Sequence, residues 1–289
     1  MLNGFRLSLT SGSAVSAEGT TASTIYLMPY TSNAIEVFFN NKWKFVRTND
    51  LVSLALSGLT SGSNYDVFAY WQDQPSPKLQ LELQQWSDAT NRLIALQRQD
   101  GVLVKATDFS RRYLGTCRTT SATQVPDTTS KRFLWNYYNR VDRILSVVDS
   151  TDTWTFIAGN LSPTYHPANG AVTGSNRVEY VSGDPENSVT LVVHAQGLAH
   201  GANSLTSSFT AAAGIGQDSG VVNNATIYGS NLISLTLYTP SYSELITTSF
   251  LGRRVLYWED GSNSSGIFGY IGDNGTTVTQ TGMIGKIQG

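Results

Sequence analysis

The sequence has little cysteine and little charge, and each shortage excludes classes of protein. Its single cysteine, Cys117, has no partner for a disulfide bond within the chain. Only 14% of its 289 residues are charged, against about 25% in ordinary soluble domains. This composition excludes a coiled coil, which needs many charged helix formers. The formal net charge of −2 excludes binding through an overall positive charge.

Long apolar runs are also missing. No stretch approaches the roughly 18 apolar residues of a membrane span, so we predict no membrane insertion. Residues 1–10 alternate apolar and polar side chains, which is not the pattern of a signal peptide. Aromatic residues make up 11% of the chain, which is too many for a disordered tail. We therefore expect a folded protein that is made in a cytosol.

The sequence contains only weak signals for a metal site or a catalytic thiol. His194 and His200 could bind a metal with Asp184 or Glu186, but no helical His-Glu-x-x-His spacing is present. Histidines in ordinary loops explain the pattern better. Cys117 matches no nucleophile motif, so we expect a small buried side chain. We predict no metal and no cofactor.

Paired carboxylates, the signature of glycoside hydrolysis, are the remaining catalytic candidates. The pairs are Glu259 with Asp260 and Asp149 with Asp152. Glu259 and Asp260 precede a glycine, which favours solvated turn residues. No Gly-x-Ser-x-Gly elbow and no phosphate-binding glycine loop is present. We predict that the chain is not an enzyme.

Residues 1–86 alternate apolar and polar side chains, which predicts strands. Trp43 and Phe45 share one face of such a strand. Asn40-Asn41 precedes that strand, and asparagine tolerates the positive φ of a hairpin turn. We predict an N-terminal β-sandwich over residues 1–86.

Residues 56–70 contain a leucine, a glycine turn and then Tyr65 entering an alternating strand. This pattern resembles the E–F corner of fibronectin type III and related sandwiches. In that corner the tyrosine hydroxyl forms a hydrogen bond to upstream backbone and fixes the crossover between sheets. The resemblance supports a sandwich.

Residues 87–148 predict a connector made of a hairpin and one longer helix. Ser87-Asp88 can cap a short helix, and Asp100-Gly101 between apolar runs favours a hairpin over residues 94–105. Residues 127–145 predict the longer helix, because their apolar side chains recur at helical spacing. These side chains are Leu134, Tyr137, Tyr138, Val141, Ile144 and Leu145.

Residues 149–289 return to short strands with Gly, Asn and Ser turns, which is typical of a sandwich or jelly roll. The predicted fold class is therefore all-β, with two β-sandwich or jelly-roll-like domains (1–86 and 149–289) joined by the hairpin plus one helix. From Arg92 to Arg143 ten basic residues face four acidic ones, whereas from residue 149 onward four basic residues face ten acidic ones. These two parts could complement each other between subunits.

Several segments resemble a group of virion structural proteins of tailed bacteriophages. The most specific are Arg111-Arg112-Tyr113-Leu114-Gly115-Thr116 and residues 131–141, Lys-Arg-Phe-Leu-Trp-Asn-Tyr-Tyr-Asn-Arg-Val. Further matching segments are residues 3–12, 54–62, 64–70, 99–105 and 118–120. The resemblance is dense over residues 1–155 and thins beyond them. Cys117 and residues 71–77 depart from the pattern.

The resemblance implies a non-enzymatic structural protein of the phage particle. Proteins of this group are commonly trimeric, and they belong to a tail fibre, a baseplate or a head-attached fibre. We expect a homotrimer in the virion, made in the bacterial cytoplasm, that contacts other virion proteins and takes part in assembly and host attachment. The alternatives are a capsid decoration or head-fibre protein that stabilises the shell, and a glycan-depolymerising adhesin.

Two sets of residues are predicted to carry these interactions. Aromatic and basic side chains near glycine-rich loops are expected to contact a host surface glycan or protein, namely Arg253, Trp258 and Tyr270. The helical stripe is expected to form the subunit interface, namely Leu134, Tyr137, Tyr138, Val141 and Leu145. Residues 131–140 mix basic and aromatic side chains as nucleic-acid-binding segments do, but the packed face of a helix is the preferred interpretation, so no nucleic acid is expected.

Overall fold

The computed structural model describes residues 1–151, 153–158, 164–169, 176–185, 188–200, 209–219, 224, 227–228, 230–233, 239–248, 250–262, 266–271 and 281–289. Within these ranges every helix or strand assigned is a β-strand, which confirms the predicted all-β class. A search of the same ranges finds no helix with the length and apolarity to span a membrane.

Short strands follow one another along the chain. The strands up to residue 118 are β1 (Phe5–Ser8), β2 (Thr20–Ala22), β3 (Thr24–Pro29), β4 (Ala34–Phe39), β5 (Lys42–Arg47), β6 (Val52–Ala55), β7 (Asn64–Gln72), β8 (Lys78–Gln85), β9 (Leu96–Gln99), β10 (Val102–Lys105) and β11 (Asp108–Arg118). The next are β12 (Val125–Thr128), β13 (Lys131–Arg132), β14 (Leu134–Asn136), β15 (Asp142–Val148), β16 (Thr153–Ala158), β17 (Thr164–Pro167), β18 (Arg177–Ser182) and β19 (Ser188–His200). The last are β20 (Phe209–Gln217), β21 (Ile227–Tyr228), β22 (Ser230–Ile233), β23 (Thr239–Thr248), β24 (Gly252–Ser262), β25 (Gly266–Ile271) and β26 (Gly282–Gln288).

The N-terminal strands pack as layers around one core. One sheet has the order β1-β3-β6, a second pairs β4 with β5, and a six-stranded sheet has the order β8-β7-β11-β10-β9 with β14 beside β11. Apolar side chains from all three sheets meet in a common core, which includes Phe5, Leu7, Ile25, Val37, Val67 and Leu114. This sandwich-like packing buries the inward face of each alternating strand.

Both predicted hairpins form, and their turn residues explain why. Asn40 and Asn41 have φ values of 50° and 60°, the left-handed values that a type I′ turn requires. Asp100 and Gly101 have φ values of 50° and 85°, and they join β9 to β10. The chemistry of each turn therefore fixes the register of its two strands.

The predicted tyrosine corner is present at the start of β7. The backbone N–H of Thr60 donates a hydrogen bond of 2.7 Å to the Tyr65 hydroxyl. Gly58 and Gly62 on either side have φ values of 65° and 68°, which glycine adopts at little cost. The side chain of Tyr65 is buried, so this bond fixes the path of the chain into the six-stranded sheet.

The helix predicted for residues 127–145 is wrong, because this segment forms β12, β13, β14 and β15. Leu134 lies opposite Cys117 of β11, so its backbone belongs to a sheet. Asn139 has a φ of 52°, a left-handed conformation that a right-handed helix does not contain. Pairing with distant strands thus overrides the helical spacing of the apolar side chains.

The short helix predicted from Ser87-Asp88 is also wrong. Asp88 does accept hydrogen bonds from the N–H groups of Thr90 and Asn91, at 2.7 and 2.8 Å, as a helix cap would. The Ser87 hydroxyl then donates to the carbonyl of Asn91 at 2.9 Å. The same chemistry therefore closes a turn, and no helix follows it.

The C-terminal strands form two larger sheets. One is eight-stranded, with the order β2-β12-β13-β18-β24-β20-β22 and β17 beside β24. The other is seven-stranded, with the order β15-β26-β19-β23-β21 and with β25 linking β16 to β19. Side chains from both sheets share a core, which includes Leu145, Trp154, Val178, Leu191, Ile215, Leu256 and Met283.

Residues 87–148 supply strands to three of these sheets. β9, β10, β11 and β14 belong to the six-stranded sheet, β12 and β13 to the eight-stranded sheet, and β15 to the seven-stranded sheet. The segment predicted as a connector therefore shares its strands with the bodies on either side of it.

Buried charges hold this shared segment together. Asp127 of β12 is 4% exposed and accepts hydrogen bonds of 3.1 Å from both Arg132 and Arg143. Arg132 also donates to the carbonyl of Ile144 at 2.8 Å, and its Nη2 lies 2.5 Å from the Glu18 carboxylate. A buried charge is tolerated when it is paired, so β12, β13 and β15 must stay together.

The tyrosine corner gives a first prediction. Replacing Tyr65 by Phe removes the partly buried hydrogen bond from the Thr60 N–H to the Tyr65 hydroxyl, so we expect the free energy of unfolding to fall by about 1 kcal/mol. Urea denaturation followed by tryptophan fluorescence measures this loss. The matched control is Tyr26→Phe, since the half-buried Tyr26 hydroxyl makes no hydrogen bond among the described residues. Equal losses in the two variants would contradict the role given to the corner.

The buried charge cluster gives a second prediction. Asp127→Asn leaves Arg132 and Arg143 without their buried counter-charge, so we expect a loss of about 3 kcal/mol in the free energy of unfolding. The control is Asp142→Asn, because Asp142 is an exposed carboxylate paired with an exposed Lys286. Such pairs contribute about 0–1 kcal/mol. The same urea titration measures both variants, and a tolerated Asp127→Asn would show that the cluster is dispensable.

Candidate interaction surfaces

Two of the predicted receptor contacts lie in the core of the C-terminal sheets. Trp258 and Tyr270 are 0% and 1% exposed, so the expectation that they face a receptor was wrong. The Trp154 ring packs edge-on against Trp258 at a centroid distance of 5.6 Å and stacks on Tyr270 at 5.8 Å. The Tyr270 hydroxyl donates to the carbonyls of Ala212 and Gly261 at 3.2 and 3.3 Å. Both rings therefore serve to pack the two sheets together.

The third predicted contact, Arg253, neutralises a buried carboxylate. Its Nε and Nη2 atoms donate to Glu179 at 3.0 and 2.5 Å. Glu179 is 4% exposed, and Arg177 approaches its other oxygen at 3.1 Å. The guanidinium of Arg253, which is partly exposed, is therefore held against Glu179 where β18 meets β24.

The five residues predicted to form the subunit interface do not form one surface in the structure. Leu134 and Leu145 are buried within the chain, whereas Tyr137, Tyr138 and Val141 are half-buried. Tyr137 packs against Tyr138 at a centroid distance of 4.9 Å. Leu134 lies on β14 and Leu145 on β15, whereas Tyr137, Tyr138 and Val141 lie in the segment between these strands, so the five residues do not share one face.

An exposed apolar strip does occur nearby, on the outer face of β15 and β26. It consists of Ile144, Val148 and Ile284, which are 52%, 47% and 58% exposed. In the ladder Ile144 lies opposite Lys286, and Val148 lies opposite Gly282, so the three aliphatic side chains share one face. Large aliphatic side chains grouped on a surface mark an interaction site more often than isolated ones do.

The apolar strip borders a shallow depression of about 300 Å³. Gly282 and His194 are among the residues that line it, and Gly282 lies between Val148 of β15 and His194 of β19 in the sheet. At the other end of the strip, Lys286 and Asp142 form an exposed ion pair of 2.6 Å. The surface is thus an apolar stripe with one charge of each sign at its rim.

A second surface, the hairpin groove, lies beside the β4–β5 hairpin. Phe45 is 54% exposed, and the Lys44 ammonium lies 4.2 Å from the centroid of the Trp71 ring. Arg47 and Lys78 complete a groove of about 200 Å³. Aromatic rings beside cations are enriched where proteins contact partners.

The carboxylates considered for catalysis are buried. Glu259 and Asp260 are 0% and 1% exposed, so their interpretation as solvated turn residues was wrong: β24 continues through them. Burial raises the pKa of Asp260 to about 7, although its Oδ2 accepts a 2.7 Å hydrogen bond from the Trp154 indole. Asp149 lies nearby, while Asp152 is outside the described residues. Burial disfavours ionised Asp149, but donors from Asn176, Thr151 and Asn169 outweigh it and lower the Asp149 pKa.

In the described part of the chain, neither the metal site considered for the histidines nor the Cys117 thiol has surroundings suited to catalysis. Asp184 pairs with Arg140 at 2.9 Å, and Glu186 and the side chain of His200 lie outside the described residues. No cluster of three or more His, Cys, Asp or Glu side chains suited to a metal ion occurs among those that are described. Cys117 is fully buried, and burial raises the pKa of its thiol well above the usual range.

Comparisons with known proteins leave the family open. No family model and no curated protein matches the sequence. Among solved structures, a chain of the infectious bursal disease virus Gt strain matches with a TM-score of 0.31 and 10% identity, covering 94% of this chain and 77% of that one. The insecticidal delta-endotoxin Cry8Ea1 of Bacillus thuringiensis matches with a TM-score of 0.25 and 10% identity, covering 99% of this chain and 51% of that one. Likenesses this low carry no argument about function.

Proposed function

We propose that the chain is a non-enzymatic structural protein of a tailed-bacteriophage particle. In this proposal it forms a homotrimer in a tail fibre or baseplate, where it takes part in particle assembly and host attachment. The sequence resemblance of residues 111–116, 118–120 and 131–141 supports the class of protein. The observation that carries the proposal is the apolar strip, because it offers a surface for a second copy of the chain.

The chemistry of the apolar strip suits self-association. Fully burying an exposed aliphatic side chain of this size contributes roughly 1.5–3 kcal/mol. Ile144, Val148 and Ile284 are 52%, 47% and 58% exposed, so each would contribute about half of that on association. Lys286 and Asp142 at its rim carry opposite charges, so the Lys286 of one copy can pair with the Asp142 of the next. A ring of three copies closes such a head-to-tail contact.

The hairpin groove suits a different partner. Beside its exposed Phe45, its three cations, Lys44, Arg47 and Lys78, outnumber its one carboxylate, Asp50. An acidic segment of another virion protein matches this chemistry, because aromatic and cationic side chains bind carboxylates and apolar groups together.

The capsid-decoration alternative relies on the basic middle of the chain, and three of the arginines there are engaged internally. Arg132 and Arg143 pair with Asp127, and Arg92 pairs with the buried Asp66 at 2.7 Å. These side chains are committed to the fold, which leaves the apolar strip as the better-supported interaction surface.

The proposal predicts that the chain is a trimer and that a charge placed in the apolar strip dissociates it. Sedimentation velocity at micromolar concentration should show a trimer, and Ile284→Asp should shift it to monomer, because the trimer would bury an unpaired charge. The control is Leu93→Asp, which places the same charge at another exposed aliphatic residue and should leave the trimer intact. Circular dichroism checks that each variant is folded. A monomeric wild-type chain, or a folded Ile284→Asp trimer, would contradict the proposal.

A further inference from the structure

A second groove in the N-terminal layers lies between two hairpin turns. One turn is Asn40-Asn41, which joins β4 to β5, and the other is Ala106-Thr107, which joins β10 to β11. Together with neighbouring residues they line a space of about 520 Å³, which we name the turn groove. Sites for small ligands have volumes of roughly 300–1,000 Å³, and binding residues concentrate on loops held by a rigid scaffold. The turn groove meets both conditions.

Three phenylalanines, Phe38, Phe39 and Phe109, form the apolar part of the turn groove. All three are half-buried, so each keeps part of its surface accessible. The Phe38 ring packs edge-on against Trp43 at a centroid distance of 5.4 Å, and the Trp43 indole donates to Asp100 at 2.9 Å. These contacts hold the Phe38 ring in place before a ligand arrives, which lowers the entropic cost of binding.

The polar part of the turn groove has unused hydrogen-bonding capacity. Asn40, Asn41 and Thr107 are exposed, and their side chains make no hydrogen bond among the described residues. Asn40 and Asn41 have left-handed φ values, so the geometry of the turn fixes where the two side chains start. A side-chain amide presents an acceptor and donors next to each other. This arrangement matches two neighbouring hydroxyls of a sugar ring.

The turn groove offers no free charge to a ligand. Among the described residues that line it, Asp108 is the one with a charged side chain. Its Oδ1 accepts hydrogen bonds from the backbone N–H and the hydroxyl of Ser110, at 3.0 and 2.6 Å, and Arg111 lies 3.3 Å from its Oδ2. The hairpin groove differs, because three cations and one carboxylate line it. An uncharged ligand therefore suits the turn groove better than an acidic segment or a nucleic acid does.

Aromatic rings beside neutral hydrogen-bonding groups define the class of ligand. A pyranose ring has a face of C–H groups, which the electronegative face of an aromatic ring attracts, and its hydroxyls project from its edge. A lipid chain would use the rings but leave the amides of Asn40 and Asn41 without partners. A sugar uses both kinds of group at once.

We propose that the turn groove binds a neutral glycan. The phenylalanine rings pack against the C–H face of a sugar, and the side chains of Asn40, Asn41 and Thr107 form hydrogen bonds with its hydroxyls. Host attachment, the part of the proposed function on which this inference rests, would then use a neutral sugar of the cell surface.

An array of immobilised neutral and acidic oligosaccharides tests the class of ligand with the purified full chain. We expect the chain to be retained on neutral oligosaccharides and not to require a sialic or uronic acid. Isothermal titration with the best-retained neutral oligosaccharide then measures the affinity. Raising NaCl from about 0.1 M to about 1 M should leave this affinity unchanged, because the contact contains no charge pair for salt to screen.

Two variants place the site on the chain. Phe109→Ala should weaken the affinity by about tenfold, since it removes a packing ring. Asn41→Gly should weaken it by about fivefold, since it removes an amide, but glycine adopts the left-handed φ of the turn readily, so the melting temperature should be retained. The matched control is Phe45→Ala, on the same hairpin but in the hairpin groove, which should bind as the wild type does. Circular dichroism checks that each variant is folded.

Three results would overturn the proposal. The first is an array on which no neutral glycan retains the chain, which would leave a protein as the receptor. The second is an affinity that requires an acidic sugar or falls steeply with salt. The third is unchanged affinity in both folded variants, Phe109→Ala and Asn41→Gly. The first result from a trimeric chain that is present in phage particles would overturn the glycan site and leave the proposed function standing.

Discussion

The buried pairing of Asp127 with Arg132 and Arg143 is the interaction on which the rest of the structure depends. Three charged side chains, each at most 7% exposed, can be buried only as a set. They lie on β12, β13 and β15, which belong to the two large C-terminal sheets. The neighbouring β11 and β14 belong to the six-stranded sheet, so this cluster lies where the N-terminal and C-terminal layers share one segment of chain.

Features set by local chemistry could be predicted from the sequence. Asn40-Asn41 and Asp100-Gly101 adopt left-handed φ because few other residue pairs do so at low cost, and Tyr65 enters its corner because the glycine turn lies directly upstream. The alternation of apolar and polar residues likewise predicted the all-β class, because the side chains of a strand alternate between its two faces. Each of these signals depends only on neighbours in sequence.

Features set by distant partners could not be predicted in this way. The apolar residues of 127–145 have helical spacing, but Leu134 pairs with Cys117 and the spacing alone does not reveal that partner. Trp258 lies close to Gly261, where the sequence suggested a turn. Instead β24 continues through this segment and places the Trp258 side chain in the core. Ile144, rather than Leu145, faces outward, because a strand places successive residues on opposite faces. Asn169 and Asp260 likewise come together only through the pairing of β17 with β24.

The proposed role is that of a component of a phage particle, in which the chain associates through the outer face of β15 and β26. Gold-labelled antibodies against the chain, applied to purified particles from the source of the sequence, test it most directly. The account predicts label at a tail fibre or baseplate, with the chain present in the particles by mass spectrometry. Unlabelled particles from which the chain is absent, with the chain left in the lysate, would contradict it.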